Sequence, residues 1–328
     1  MRRVAVIGAG VIGLASALAL RRCGHEVAVF EACRAGRGSS WAGAGILYPL
    51  LPWDYDETVN RWCRQGISRH VAWLEELRGV SGIDAEYRVS GMRVLDGWDA
   101  DAAAWLRRHG EAYRRDGADL LLPGVAQVRN PRLVDALVSA CQVASIALYE
   151  GLDRVSPLYG RCQVDGVQWA GGKWLSDAVV LCAGAWSATF GELSDLRVHP
   201  VRGQMLALRA PELPAEIVYQ EGCYLVPRCD GVVLLGSTME LAGFDASTNE
   251  RTASGLLAWA QRRHPGLSAD RIIRHWAGLR PGSRLNRPVV GPHPEIDRLW
   301  LNTGHFRYGL TMAPACAEAL AEWLTSSL

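Results

Sequence analysis

The hexapeptide Gly8-Ala9-Gly10-Val11-Ile12-Gly13 ends one apolar run and opens another, and it narrows the fold more than any other segment of the chain. The preceding Arg3-Val4-Ala5-Val6-Ile7 is short, β-branched and closed by glycine, the pattern of a buried parallel strand. Leu14 to Cys23 is rich in Ala and Leu, the composition of a helix packed tightly on a sheet. Gly8 permits a tight turn, Gly10 lets the main chain approach a pyrophosphate, and Gly13 brings helix and strand together. The first N–H groups of the helix, at Val11 and Ile12, then present the positive end of the helix dipole to an anion. Glu26-Val27-Ala28-Val29-Phe30 reads as the second strand, and Glu31 ends it with a carboxylate placed to accept both hydroxyls of an adenosine ribose. Strand, glycine turn, helix and acid at this spacing specify a dinucleotide site.

Arg2 and Arg3 ahead of apolar residues imitate a secretory signal, but the run contains three glycines and continues into a second strand, so no targeting peptide is expected. No uninterrupted apolar stretch reaches the length of a membrane span. The net charge of +1 gives no reason to expect nucleic acid or an anionic membrane as partner. Nine cysteines form no CxxC pair, and Cys223 and Cys229 are too far apart for a zinc knuckle. They read as reduced, packed thiols of a cytoplasmic protein, with no metal site.

Arg37 to Ile46 is a loop of small residues carrying two hydroxyls, Ser39 and Ser40, and small side chains admit the close approach of something flat and large. A helix follows from about Glu57 to Leu77, with Trp62, Trp73 and Leu74 as core candidates. Tyr87 to Leu95 alternates like one strand, and Asp99 to Arg115 reads as a charged helix. Pro131 opens another helix, and Ile146 to Tyr149 forms a strand. Two more strands flank Gly171-Gly172, and the wholly apolar Ala178 to Cys182 ends in a second glycine turn at Gly184. Val201 to Thr238 is strand-rich, with a hairpin at Pro227, Asp230 and Gly231. A helix over about Ser254 to Arg263, a strand over Leu299 to Asn302 and a C-terminal helix complete the chain.

The fold class expected is α/β. A Rossmann-like nucleotide domain built from residues 1–50, 130–195 and 275–328 interleaves with a strand-rich α+β substrate domain from 51–129 and 196–274. The sheet of the second would wall a pocket against the cofactor.

Six further motifs extend the pattern over nearly the whole chain: Ser39-Ser40-Trp41-Ala42-Gly43, Val201-Arg202-Gly203-Gln204-Met205, Tyr224-Leu225-Val226-Pro227-Arg228, Gly236-Ser237-Thr238-Met239, Trp276 to Pro281, and Gly304-His305-Phe306-Arg307. With them the chain resembles the D-amino-acid oxidase superfamily of FAD-dependent oxidoreductases, and within it the glycine oxidases. The resemblance implies FAD bound in an elongated form. Its adenine end would lie by Gly8 to Gly13, Glu31 and Ala32, with the backbone of Leu152 against the adenine. Its ring would lie by Ser39, Ser40, Ala44, Gly45, Ile46 and the run His305, Phe306, Arg307, Tyr308, Gly309, Leu310 and Thr311, and Gly184 would also face the cofactor. Arg280, Arg307 and Tyr224 would face the substrate, with Met239 as an apolar wall.

The residues support this chemistry independently. Arg280 follows an apolar run and precedes Pro281-Gly282, and a guanidinium so placed needs an anion. A substrate carboxylate gripped by its fork answers that need, and an ion pair with an internal acid is the alternative. With the carboxylate pinned, the α-carbon of a neutral amine is held for hydride transfer to flavin N5. The imine hydrolyses to a 2-oxo acid, and dioxygen is reduced to hydrogen peroxide. No general base is assigned; His199, His275 and His305 read as structural or as flavin contacts. The substrate class is a small amino acid or N-substituted glycine, such as glycine, sarcosine or a D-amino acid, and a homo-oligomer stays open. Two departures from related oxidases stand out: Tyr308 where asparagine is frequent, and Asp54 where a basic residue is expected. The competing functions are an FAD-dependent dehydrogenase passing electrons to a quinone or protein, a nicotinamide-dependent reductase, and a non-enzymatic binding module.

Overall fold

The structure, a computed structural model, describes residues 1–327, so residue 328 of the expected nucleotide domain lies outside it. A six-stranded sheet runs in the order Val289–Pro292, Leu299–Thr303, Ala178–Leu181, Arg3–Ile7, Glu26–Phe30, Ala147–Tyr149. Its strands are parallel except for Val289–Pro292, which pairs antiparallel at the edge. Helices Val11–Arg22, Asn130–Val143 and Gly309–Ser327 cover one face. The antiparallel strands Ser156–Tyr159, Val164–Trp169 and Gly172–Leu175 cover the other. Because both faces are packed, the central strands are apolar throughout rather than alternating.

The first glycines act as the sequence requires. Gly8 has φ +102°, and a Cβ there would lie 2.5 Å from the Cys182 carbonyl oxygen. A Cβ on Gly13 would lie 1.9 Å from the carbonyl oxygen of Gly8, so only glycine lets the helix sit this close to the turn. From Arg3–Ile7 the sheet proceeds to Glu26–Phe30 on one side and Ala178–Leu181 on the other. The carboxyl ends of these strands therefore open a crevice, where ligands of doubly wound sheets bind.

The second large sheet has eight strands, in the order Ile272–Gly282, His199–Arg209, Val232–Gly236, Cys223–Pro227, Ile217–Gln220, Met92–Val94, Asp119–Leu122, Arg114–Asp116. The expected hairpin at Pro227 to Gly231 joins two of them. Helix Glu250–Gln261 covers its outer face, and the inner face packs toward the nucleotide layer through Met205, Tyr224, Tyr308 and Met312.

Several expectations need correction. Tyr87 to Leu95 is two short strands in different sheets, Arg88–Val89 and Met92–Val94, separated by Gly91 at φ +71°. The helix read over Asp99 to Arg115 covers only Ala100–His109. Gly110 closes it in the left-handed region at φ +67°, and Arg114–Asp116 forms a hairpin with Asp119–Leu122 around Gly117. The expected boundary at 275 falls inside Ile272–Gly282, which pairs with His199–Arg209 along its length, so the chain leaves the long sheet only after Gly282. Helix Glu57–Ser81, assigned to the substrate domain, packs on Asn130–Val143 and Gly309–Ser327 of the nucleotide layer.

That last contact depends on one residue. A Cβ on Gly66 would lie 1.9 Å from the main-chain oxygen of Thr311, whereas one on Gly79 in the same helix would meet nothing within 4 Å. Gly66→Ala is expected to destabilise by about 2 kcal/mol or more, because two helix backbones must separate. Gly79→Ala is expected to be neutral or to stabilise by up to about 1 kcal/mol through helix propensity. Thermal unfolding of the two variants side by side checks this; equal melting temperatures would refute the close contact.

Candidate active site

A cavity of about 1170 Å³ opens at the crevice and runs between the two sheets. Drug-sized ligands fill roughly 300–1,000 Å³, so this space suits a long ligand with room beside it. At one end Glu31 follows its strand and is fixed by main-chain donors: the Ala9 N–H to Oε2 at 2.8 Å and the Cys33 N–H to Oε1 at 2.9 Å. Gly8, Gly10, Val11, Ile12, Ala32 and Gly184 line the same stretch. The helix starting at Val11 has no acid in its first turn and aims its N-terminus at the cavity. The Val11 N–H is already engaged by Ser40 Oγ at 2.9 Å, which leaves the serine hydroxyl proton for a ligand.

The Ser39 to Ile46 loop lies across the cavity and is pinned from several directions. Ser39 Oγ donates to the Leu279 carbonyl, and Asn130 Nδ2 donates to the Ser40 carbonyl at 2.7 Å. Trp276 Nε1 donates to the Ala42 carbonyl at 3.0 Å, and Arg228 Nη2 to the Ala44 carbonyl at 2.7 Å. Opposite the loop, His305, Phe306, Arg307, Tyr308, Gly309 and Leu310 line the wall. Phe306 holds φ +50°, unusual for a bulky residue, and its N–H bonds the Pro281 carbonyl at 3.0 Å. The last helix begins at Gly309, so two helix N-termini converge on one cavity and favour anionic ligand groups there.

Arg280 reaches the cavity from strand Ile272–Gly282. Its Nη2 donates to Ser237 Oγ at 2.7 Å and its Nη1 to the Thr238 carbonyl at 3.1 Å, both neutral acceptors. Among the described residues no carboxylate pairs with it, and the surface it keeps is on the cavity. Burial lowers its pKa, nearby Tyr224 opposes that, and Arg307 adds to it. Gly203 on the neighbouring strand makes the space: a Cβ there would lie 2.2–2.4 Å from the guanidinium atoms. Tyr224 is buried beside Arg280, its hydroxyl hydrogen-bonded to the guanidinium and 3.8 Å from Met205 Sδ. Arg307 is likewise without an acid partner among the described residues, set among Tyr308, Tyr224, Tyr55 and Tyr219.

Four expected residues stand elsewhere. Met239 is 61% exposed and outside the cavity lining, because it follows the sheet's end into a surface loop. Leu152 also lies outside; its N–H is spent on the Glu31 carbonyl at 3.1 Å, and Val155 takes the lining position. Thr311 is fully buried one turn into the last helix, where its hydroxyl bonds the Ile46 carbonyl at 3.4 Å. Gly13 packs helix on turn but does not reach the cavity. Asp54 is exposed at the surface, where partial desolvation and then the neighbouring Asp99 and Asp101 raise its pKa. Residues the sequence did not single out, Tyr48, Asn130 and Arg274, also line the site, as do Gly203 and Trp41, which were quoted in motifs without a role; the Arg274 guanidinium lies 4.3 Å from the Trp41 ring centre. Their roles were not legible locally, because each matters through its partner on a distant segment.

An FAD-sized group fits the donor set and the unmet polar demand. Tyr48 hydroxyl, Asn130 Oδ1, His275 Nε2, Asn302 Oδ1 and His305 Nε2 are buried on residues lining the cavity and have no hydrogen-bond partner among the described residues. Buried polar groups rarely go unsatisfied, so five on residues around one cavity call for a polar ligand. Among the described residues no cluster of His, Cys, Asp and Glu is arranged to hold a metal, and no cysteine is in a disulfide.

His305 illustrates the electrostatics. Burial lowers its pKa to about 3, so it is neutral at physiological pH. His70, buried between helices, is lowered to about 4 by the same cause. Between these values and about 6.5 the unfolded chain binds protons that the native state refuses, so stability falls as pH drops through that window. The melting temperature is therefore expected to fall from pH 7 to pH 5. The His305 ring should show no titration over that range by NMR, and a midpoint near 6 would refute its burial.

The comparisons with known proteins agree with this geometry. The family model described as FAD dependent oxidoreductase, DAO, matches residues 3–323. A glycine oxidase of Pseudomonas aeruginosa is 39% identical over 98% of this chain and 94% of its own. The crystal structure of glycine oxidase from Geobacillus kaustophilus superposes with a TM-score of 0.87 at 29% identity, covering 99% of this chain and 95% of that one. The iminodiacetate oxidase of Chelativorans superposes with a TM-score of 0.88 at 26% identity, covering 99% and 95%.

Proposed function

Because the chain belongs to the DAO family of FAD-dependent oxidoreductases, we propose that it oxidises the carbon–nitrogen bond of a small amino acid or N-substituted glycine, with dioxygen as the electron acceptor. The observation that carries this reading is Arg280: a deep guanidinium with only neutral partners, its free surface on the cavity. An unpaired charge in such a place is costly, and a ligand carboxylate removes the cost.

Bound FAD supplies the hydride acceptor, and everything else is orientation by the chain. Gly8, Gly10 and the N-terminus at Val11 would hold the pyrophosphate, Glu31 the ribose, and the Ser39 to Ile46 and His305 to Leu310 segments the ring. Arg280 and the hydroxyl of Tyr224 would grip the substrate carboxylate, which fixes the direction of the α C–H bond. Arg307 adds positive charge beside the amine and so disfavours its ammonium form. That is the form without the lone pair needed to expel a hydride. No side chain here is poised as a base: His305 is neutral with a pKa of about 3, and burial raises Tyr308 well above the usual phenol value. The amine proton therefore leaves to solvent before the substrate is bound productively. Loss of hydride gives the imine, and water converts it to a 2-oxo acid and ammonia or an amine. Two electrons and two protons reduce one dioxygen to hydrogen peroxide.

Two measurements check this. Anaerobic bleaching of the flavin across glycine, sarcosine, D-amino acids and longer N-alkylglycines identifies the donor, and no bleaching by any of them would sink the proposal. Peroxide formed mole for mole with product identifies dioxygen, whereas turnover only with an added quinone moves the acceptor. Arg280→Ala is expected to raise KM at least about tenfold while FAD stays bound, given the strength of charge-assisted hydrogen bonds. An unchanged KM would mean that the carboxylate is held elsewhere.

A further inference from the structure

Arg228 lines no part of the cavity and pairs with no acid among the described residues, yet it is the third deep guanidinium of the molecule. It follows strand Cys223–Pro227, the strand that carries Tyr224 into the site. Its Nη1 donates to Gln127 Oε1 at 2.6 Å and to the Val128 carbonyl at 2.9 Å, and its Nη2 donates to the Ala44 carbonyl at 2.7 Å. All three acceptors are neutral. Burial and the neighbouring Arg129 lower its pKa to about 10, so it remains a cation at neutral pH.

We propose that Arg228 is a positioning residue for the bound FAD, acting through the peptide that joins Ala44 to Gly45. The Ala44 carbonyl and the Gly45 N–H are the two ends of one planar amide. Gly45 lines the cavity, and its N–H has no acceptor among the described residues. Its carbonyl is fixed by the Val128 N–H at 2.9 Å, and its φ of +75° holds a turn that a Cβ would block, 1.9 Å from the Val128 oxygen. A cation bonded to the oxygen of an amide draws electron density toward that end and makes the N–H at the other end a stronger donor. The guanidinium thus sets where the loop stands and passes part of its positive charge across one peptide to the cofactor's side.

A purely structural link between these segments does not need a charge. A side chain with apolar volume would fill the space without the desolvation cost. Nor does a lysine replace it, since only a planar fork reaches acceptors on three residues at once. The inference rests on FAD occupying this cavity, and the experiment separates the two ideas.

Arg228→Met and Arg228→Lys are compared with the unaltered protein by three readouts. These are the melting temperature of the apoprotein, the dissociation constant for FAD titrated into apoprotein by quenching of flavin fluorescence, and the affinity of the FAD-loaded protein for sulfite. Sulfite is a nucleophile whose binding to oxidised flavin tightens with positive charge around the ring. The methionine variant is expected to weaken both FAD and sulfite at least tenfold. The lysine variant, which keeps the charge but not the fork, is expected to weaken both at least threefold and less than methionine does. A lower melting temperature with unchanged FAD and sulfite affinities would make Arg228 a structural link only and overturn the proposal. If the methionine variant does not fold, the lysine variant decides on the same criteria. Unaltered protein that takes up no FAD would overturn the functional reading itself, a separate failure.

Discussion

A guanidinium without an internal anion is the constraint around which this site is built. Arg280 is set deep, its hydrogen bonds go to neutral groups, Ser237 Oγ, the Thr238 carbonyl and the Tyr224 hydroxyl, and it lines an open cavity. A protein that needed only stability would pair such a charge or replace it with an apolar side chain. Here the surroundings do the opposite. Gly203 gives up its side chain to admit the guanidinium, and Arg307 raises the local positive potential further. Among the described residues the charge is therefore left without a counter-ion, and the proposed carboxylate would supply one.

The fold makes this arrangement possible by threading the chain twice between layers. The parallel sheet supplies the crevice and its two helix N-termini, while the long sheet supplies the strands bearing Tyr224 and Arg280. Neither layer holds the Ser39 to Ile46 loop alone. Bonds from Ser39, Asn130, Trp276 and Arg228 fasten it to segments far apart in sequence, and a Cβ on Gly278 would lie 2.6 Å from Ala42 Cβ. The loop is thus a seam, and its small residues are the price of three backbones meeting.

What the sequence disclosed follows from the range of the interactions involved. The first strand, turn and helix were legible because their determinants are adjacent: β-branched runs, glycines at fixed offsets, and an acid at the end of the next strand. Arg280, Arg307 and Tyr224 were legible only as members of longer motifs, since a lone arginine says nothing of its partner. Met239 and Leu152 stand outside the cavity lining for different reasons. A motif fixes the chain's path but not whether a side chain turns to the cavity or to solvent, and Leu152 had already spent its N–H on Glu31. The helix read to Arg115 overran because charge periodicity persisted past Gly110, where a left-handed φ ends the helix whatever follows. Gly203 and Arg228 were illegible in role, because their meaning lies in residues more than 70 positions away in sequence.

Tyr308, the departure beside Arg307, bears on what the cavity admits. Its ring is 2% exposed and meets Tyr55 edge-on at 5.0 Å between centroids, while its hydroxyl lies 3.4 Å from the Leu50 N–H. A shorter amide side chain could not reach the same contacts, so the aromatic ring joins Tyr55 to the wall on which Arg307 sits. Rigid rings fixed by one another yield less than a polar side chain on a loop, and overpacked cores resist added volume. A ligand extending toward Tyr308 would have to displace two phenol rings packed edge to face. One extending toward Trp41 meets Arg274, which is exposed. Added bulk is therefore expected to be resisted on the side of the two tyrosines more than on the side of Arg274.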